Sequence, residues 1–241
     1  MLLFNFHYVE PVAARPERRH ITITPQGLAW FIRTLRMLGF RFVSIGEALQ
    51  AASPEALGPK SAMITFDDGY ENLARHALPV LQALNCPALL FVLAGKPGGS
   101  NDWDQGHVPD SQRDRLMTFE QMRSLGESQV ITFGSHGLLH RSLPSLQEDA
   151  LDEELNQSYA RLSAELGESF APVFAYPWGD VSPEVLDFMA KTPYRMAFTT
   201  EKRRWTSTDS PYAIPRHSVY FRDGNPLILT AKLARHGLLM G

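Results

Sequence analysis

Apolar runs and stretches of helical period alternate along this chain from end to end. Leu2 to Phe6 predicts a first strand that ends at His7-Tyr8. Thr24-Pro25 supplies an N-cap and a first helical residue, Leu28, Phe31, Ile32 and Leu35 follow at helical spacing, and Gly39 stops the run. Phe40 to Val43 predicts a second strand, and Ser44-x-x-Glu47 is a capping box that opens a short helix. Ala62 to Phe66 is a third strand, Leu73 to Leu84 a helix, and Ala88 to Leu93 a fourth strand. Thr118 then caps a short helix, Val130 to Phe133 reads as strand five, and Gln147 to Leu166 as a long helix closed by Gly167. Val173 to Tyr176 makes strand six, Ser182-Pro183 opens another helix, and Met196 to Thr199 makes strand seven. Ala213 to Tyr220 is a final extended piece before Asn225-Pro226 opens the last helix. Ala94 to Met117, rich in Gly, Asp and Pro, is the longest irregular segment and the kind of loop that carries function.

Such alternation predicts a parallel α/β architecture, because strands buried on both faces read as near-continuous apolar runs. The pattern leaves open whether the sheet is flat or closed. His7, Asp67, Asp68, His136 and Trp178 each fall just past the C-terminal end of a predicted strand, which would bring them to one mouth. With 241 residues, the chain suits one core, and we expect a single domain over residues 1–241.

Composition narrows the function classes. Hydrophobic residues at 44% and charged ones at 20% are ordinary for a globular protein, and no apolar segment approaches the roughly 20 residues of a membrane span. A formal net charge of −3 argues against a nucleic-acid surface; Arg15, Arg18 and Arg19 and the run Lys202-Arg203-Arg204 read as solvated basic spots. Cys86 is the only cysteine, so an intrachain disulfide and a thiolate cage are excluded, and with no activating neighbour it reads as a packed residue. Met1 to His7 lacks the basic region and cleavage site of a secretory signal, which predicts a cytoplasmic protein unless the chain was trimmed before export.

The chemistry concentrates in two segments. Ser61-Ala-Met-Ile-Thr-Phe-Asp67-Asp68-Gly69-Tyr70 delivers two adjacent carboxylates at a strand end, and Phe133-Gly-Ser-His136-Gly-Leu-Leu-His140 sets two imidazoles four residues apart, a spacing that places them on one helical face. One aspartate and two histidines suit zinc or a related divalent ion with positions left open for water and substrate, and the second acid is free to act as a base.

These motifs, with Phe174-Ala-Tyr-Pro-Trp-Gly179, resemble the signatures of the polysaccharide deacetylase family, carbohydrate esterase family 4, which shares the NodB-homology domain. The resemblance runs from about Phe4 to about Val219. It implies a deformed (β/α) barrel of about seven parallel strands and an enzyme that removes N-acetyl, or O-acetyl, groups from an amino-sugar glycan or glycan precursor. It further implies that Asp68, His136 and His140 hold the ion, with Zn2+ foremost and Co2+, Ni2+ or Mn2+ as substitutes, and that Asp67 is the base. Asn5-Phe6-His7-Tyr8 resembles the branch whose general-acid histidine lies near the N-terminus, with His217 as competitor; His236 reads as a solvent-facing residue near a helix C-terminus. The Trp178 N–H would join the oxyanion hole, and Tyr70 and Tyr176 would line the sugar site. Ala175 stands where many relatives carry an arginine paired with the catalytic aspartate; Arg216 is the candidate replacement. The family's fourth-motif aspartate has three candidates, Asp187, Asp209 and Asp223. Two rival readings are a same-fold hydrolase of a small cyclic imide or ureide, and a carbohydrate-binding protein that has lost turnover.

Overall fold

A computed structural model describes residues 1–11, 20–104 and 113–239; Arg15, Arg18 and Arg19 and part of the 94–117 loop therefore lie outside the described residues. The strands are β1 (Leu2–Phe6), β2 (Tyr8–Val9), β3 (Thr22–Ile23), β4 (Arg41–Phe42), β5 (Ser61–Phe66), β6 (Ala88–Val92), β7 (Ile131–Ser135), β8 (Phe170–Ala175), β9 (Met196–Phe198) and β10 (His217–Ser218). The helices are α1 (Pro25–Met37), α2 (Ile45–Gln50), α3 (Asn72–His76), α4 (Leu78–Ala83), α5 (Phe119–Gly126), α6 (Glu148–Asp152), α7 (Ser158–Leu166), α8 (Pro183–Met189) and α9 (Pro226–Arg235).

All pairs of the main sheet are parallel, in the order β10-β1-β5-β6-β7-β8-β9, with β4 added against β5. Ile214, just ahead of β10, forms a parallel bridge to Phe198 of β9, and Val219 donates to the Asn5 carbonyl of β1 at 2.8 Å. The extended piece near the end of the chain thus joins the two edges, and the sheet curls into a deformed (β/α) barrel. The expected Phe40 to Val43 strand shrinks to the two residues of β4, paired with β5, because the Ser44 capping box starts α2 at Ile45.

Period-2 alternation sorts each strand onto two faces. Leu2, Phe4 and Phe6 of β1, Ile64 and Phe66 of β5 and Leu90 of β6 face outward and pack with Leu28, Phe31, Ile32 and Leu35 of α1. Phe31 meets Phe4 and Phe6 edge-on at 5.0 and 5.1 Å, and aromatic pairs of this kind contribute about 0.5–1.5 kcal/mol each beyond area burial. Leu3, Met63, Leu89, Phe91, Val173 and Phe198 fill the barrel interior.

Two helices depart from the expected continuity. The predicted Leu73 to Leu84 helix breaks at Ala77 into α3 and α4, since Pro79 lacks an N–H and its ring crowds the preceding turn. The Gln147 to Leu166 helix is interrupted by a π-turn, Glu153–Gln157, between α6 and α7.

Candidate functional site

At the C-terminal end of β5 two consecutive residues, Asp68 (φ 72°) and Gly69 (φ 74°), adopt the left-handed conformation and turn the chain sharply. A side chain at Gly69 would also come within 2.9 Å of Val92, so the turn requires glycine on both counts. The reversal sends the two neighbouring carboxylates in different directions.

Asp67 points into the barrel. Arg216 Nη1 donates to its Oδ1 at 2.7 Å and Nη2 to its Oδ2 at 2.9 Å, and Asn5 Nδ2 donates to Oδ2 at 2.9 Å. Arg216 is itself fully buried; its Nε donates to the Thr199 carbonyl, a further Nη1 contact reaches Thr65 Oγ1, and its guanidinium lies 5.1 Å from the Phe91 ring centre. Burial pushes the Asp67 carboxyl up, but the charge of Arg216, then those of His136 and His7, outweigh it and hold the group ionised below its ordinary range. Arg216 comes from the segment that closes the barrel, and Ala175 lies among the small and apolar residues of the interior.

Asp68 points across to β7. Its Oδ1 lies 3.3 Å from His136 Nε2 and 3.3 Å from His140 Nε2, and the three ligand-type atoms fall within 4.8 Å of one another. Burial raises the Asp68 carboxyl, yet the hydrogen bonds and charges of both histidines hold it well below the carboxylate range. Burial likewise pushes His136 down, and its bond to Asp68 with the charges of Asp67 and Asp68 reverses this. His136 Nδ1 is 2.8 Å from the Ala175 carbonyl, which places a proton on Nδ1 and turns Nε2 toward Asp68. Protonated, the two imidazoles donate to Asp68; with Nε2 deprotonated, two imidazoles and one carboxylate present lone pairs to one buried point, a donor set that suits a shared zinc-like cation. The residues therefore fit a divalent metal.

His140 does not lie on a helix. After β7 the chain runs irregularly, Gly137 has φ 89° and His140 φ 64°, so the pair meets Asp68 through a strained loop instead of through one helical face. Trp103 stacks on His140 at 4.4 Å, and Trp178 meets it edge-on at 4.9 Å. Trp178 also has a left-handed backbone (φ 63°) and is 56% exposed. Three of the five described non-glycine residues with positive φ are thus Asp68, His140 and Trp178. Each such residue stores about 1–3 kcal/mol of strain, which gathers here at one mouth.

Other sequence candidates divide by location. His7 follows β1, whose register pairs Phe6 with Phe66, so it emerges beside Asp67 and is partly exposed. Tyr70 is 2% exposed, stacks on Tyr8 at 4.1 Å and directs its hydroxyl to Asp68, so it backs that carboxylate instead of lining an open sugar site. Tyr176 is 1% exposed, donates to the Tyr212 carbonyl at 2.9 Å and packs with Phe174; it too is core. His217 pairs in register with Phe4 on the outer face, away from Asp67, and His236 is exposed. Asp223 bonds Lys232 and the Tyr220 N–H, Asp209 bonds Arg203 and the Thr206 N–H, and Asp187 is on the exposed side of α8. Cys86 is buried and its thiol is pushed up to about 12 by desolvation. Two residues with a part in the site carried no motif: Trp103 on His140, and Glu154, whose carboxylate receives the Leu138 and Leu139 amides at 2.6 and 3.1 Å. Asn5, which bonds Asp67, falls within the Asn5-Phe6-His7-Tyr8 resemblance and is also a polar residue in an apolar strand.

Comparisons with known proteins give the family and the fold. The family profile described as polysaccharide deacetylase matches residues 55–197. A poly-β-1,6-N-acetyl-D-glucosamine N-deacetylase of Staphylococcus aureus is 24% identical over 217 residues, covering 89% of this chain and 72% of that protein. The enzyme of the same name from Escherichia coli K12 is 25% identical, but the match spans 33% of its length. Among solved structures, IcaB from Ammonifex degensii superposes with a TM-score of 0.78 at 25% identity over 96% of both chains. The Streptococcus pyogenes deacetylase PplD, solved in complex with acetate, gives 0.78 at 21% identity, again over 96% of both.

Proposed function

Since the chain belongs to the polysaccharide deacetylase family, we propose that it is a metal-dependent hydrolase that removes N-acetyl groups from an amino-sugar glycan or glycan precursor. The observation that carries this reading is the buried Asp68, His136 and His140 cluster beside a second carboxylate held ionised by Arg216. Asp68, His136 and His140 would hold the ion, zinc foremost. When bound, such an ion polarises the acetyl carbonyl and brings the pKa of water down toward about 7.

The chain's own residues supply the rest. Asp67 takes a proton from the attacking water; two guanidinium bonds and one amide bond aim its carboxylate and leave one lone pair, on Oδ1, free. Water oxygen adds to the acetyl carbon, the C–N bond breaks, and His7, emerging beside Asp67, delivers a proton to the departing nitrogen. The products are acetate and a free amine. The Trp178 N–H stabilises charge on the carbonyl oxygen, and the exposed Trp178 ring with Trp103 offers the apolar faces against which a sugar ring packs.

The activity of the relatives makes β-1,6-linked N-acetylglucosamine oligomers the first substrates to assay. We expect acetate release that chelation abolishes and added Zn2+ or Co2+ restores. Ring opening of a cyclic imide without acetate release would replace this reading with the small-amide one, and tight glycan binding with no turnover by the metal-loaded protein would replace it with a binding function.

A further inference from the structure

The two histidines of the cluster are supported unequally. His136 is oriented through its second ring nitrogen, which meets the Ala175 carbonyl at 2.8 Å. His140 Nδ1 is buried and has no hydrogen-bond partner among the described residues. A ligating imidazole ordinarily has that nitrogen tied down, and the tie sets both ring orientation and ligand strength. Something else must place His140.

Its ring has tryptophan contacts, but its backbone stands at φ 64°, a conformation that a histidine keeps only when the surroundings impose it. The loop that imposes it is held through its carbonyls by Ala94 and Gly95, whose N–H groups donate to Gly137 and Leu138 at 3.0 and 2.9 Å, and through its amides by Glu154. Glu154 has no exposed surface; its Oε2 accepts from Leu138 N–H at 2.6 Å, both oxygens lie 3.1 Å from Leu139 N–H, and Oε1 lies 3.3 Å from Arg141 Nε. Among the described residues, every partner of this buried carboxylate belongs to the segment between the two histidines or directly beyond the second. Gly137 is shaped to the same purpose, for a Cβ there would stand 2.6 Å from Glu154 Oε2.

The helix carrying Glu154 is adapted as well. Glu154 sits in the π-turn Glu153–Gln157, where the chain holds one more residue than an α-helix would. Each residue advances an α-helix by about 100°, so removing the insertion would swing this carboxylate off the loop. Ser158, which donates to the Glu154 carbonyl and contacts Ser135 Oγ and Tyr194, ties the turn to β7. A buried carboxylate costs free energy unless it is bonded on all sides, and here it is bonded to the histidine loop alone.

We infer that Glu154 is a positioning residue for the metal: it holds the 138–141 backbone so that His140 Nε2 meets Asp68, a role that the second ring nitrogen of His140, unpartnered among the described residues, does not fill. This rests on the metal reading above, and the experiment separates the two. Affinity for Co2+ and Zn2+ is measured by competition with a chromophoric chelator, and the visible spectrum of the Co2+ form reports ligand number, in the wild type and in Glu154→Gln. We expect wild-type protein to bind with a spectrum of nitrogen and oxygen ligation, and Glu154→Gln to lose about 10–100-fold in affinity with an altered spectrum while its circular dichroism is kept. No binding by the wild type overturns the metal reading itself. Equal affinity and an unchanged spectrum in Glu154→Gln overturn the role of Glu154. Should the variant not fold, amide hydrogen exchange of the metal-free wild type decides: Leu138 and Leu139 amides protected to the level of β7 support the clamp, and exchange at loop rates overturns it.

Discussion

Inside the barrel wall Asn5, Thr65, Asp67, Thr199 and Arg216 form a charged group with almost no exposed surface, and each donor of the Arg216 side chain that is described above has its acceptor. One residue along the chain, on the outer face, His217 is also buried against Phe4, yet its Nε2 has no partner among the described residues. The inner pair remains charged because every charge is answered by a bond of good geometry. Desolvation, then the nearby Lys232 charge, pushes the outer imidazole down to about 4, with the Arg203 backbone bond opposing and the His236 and Arg204 charges adding to the fall. The barrel wall therefore separates two ways of burying a titratable group, pairing it or keeping it neutral, and the site is built on the first.

The largest effect should come from breaking the inner pair. Arg216→Met leaves Asp67 buried without its counter-charge, and we expect a loss of about 3–5 kcal/mol in urea unfolding at neutral pH. A loss below about 1 kcal/mol, the range of an exposed pair, would remove the contrast. Asp67→Asn leaves the ligand cluster untouched and should keep metal affinity while lowering the deacetylation rate about 10²–10⁴-fold; unchanged turnover would transfer the base role elsewhere.

The outer side makes a prediction of opposite kind. His217 binds fewer protons folded than unfolded between pH about 6.5 and about 4, so stability attributable to it is complete above that window and is lost as pH falls through it. His217→Phe should flatten this part of the stability-pH curve, read from unfolding midpoints at closely spaced pH values; parallel curves would show that the imidazole is not neutral when folded. The smallest change concerns Tyr176. Tyr176→Phe removes one hydrogen bond to the Tyr212 carbonyl and should cost about 1 kcal/mol with KM unchanged, whereas a raised KM would return Tyr176 to the sugar site.

Much of the architecture can be read without coordinates because its signals are local. Alternating periods mark the strands and helices, the Ser44 and Thr118 caps form as spelled, and the positions of Asp67, Asp68 and His136 at strand ends follow from where apolar runs stop. The family motifs add the ligand types. Local spacing misleads at His140, because four residues measure one helical turn only if a helix forms, and Gly137 with the Glu154 bonds holds the loop otherwise. Tyr70 and Tyr176 show the same limit: motif position brings them near the site, but burial is decided by what packs above them.

What the amino-acid order determined by itself is the set of elements and the chemistry delivered to one end of the strands, since periodicity, caps and turn glycines act over a few residues. Tertiary structure alone decided that Arg216, 149 residues from Asp67, becomes its partner, that the segment before it closes the barrel, and that Glu154 reaches the histidine loop. Those choices depend on strand register and on a single inserted residue in a helix, and neither leaves a mark in local sequence because each is settled only when distant segments pack.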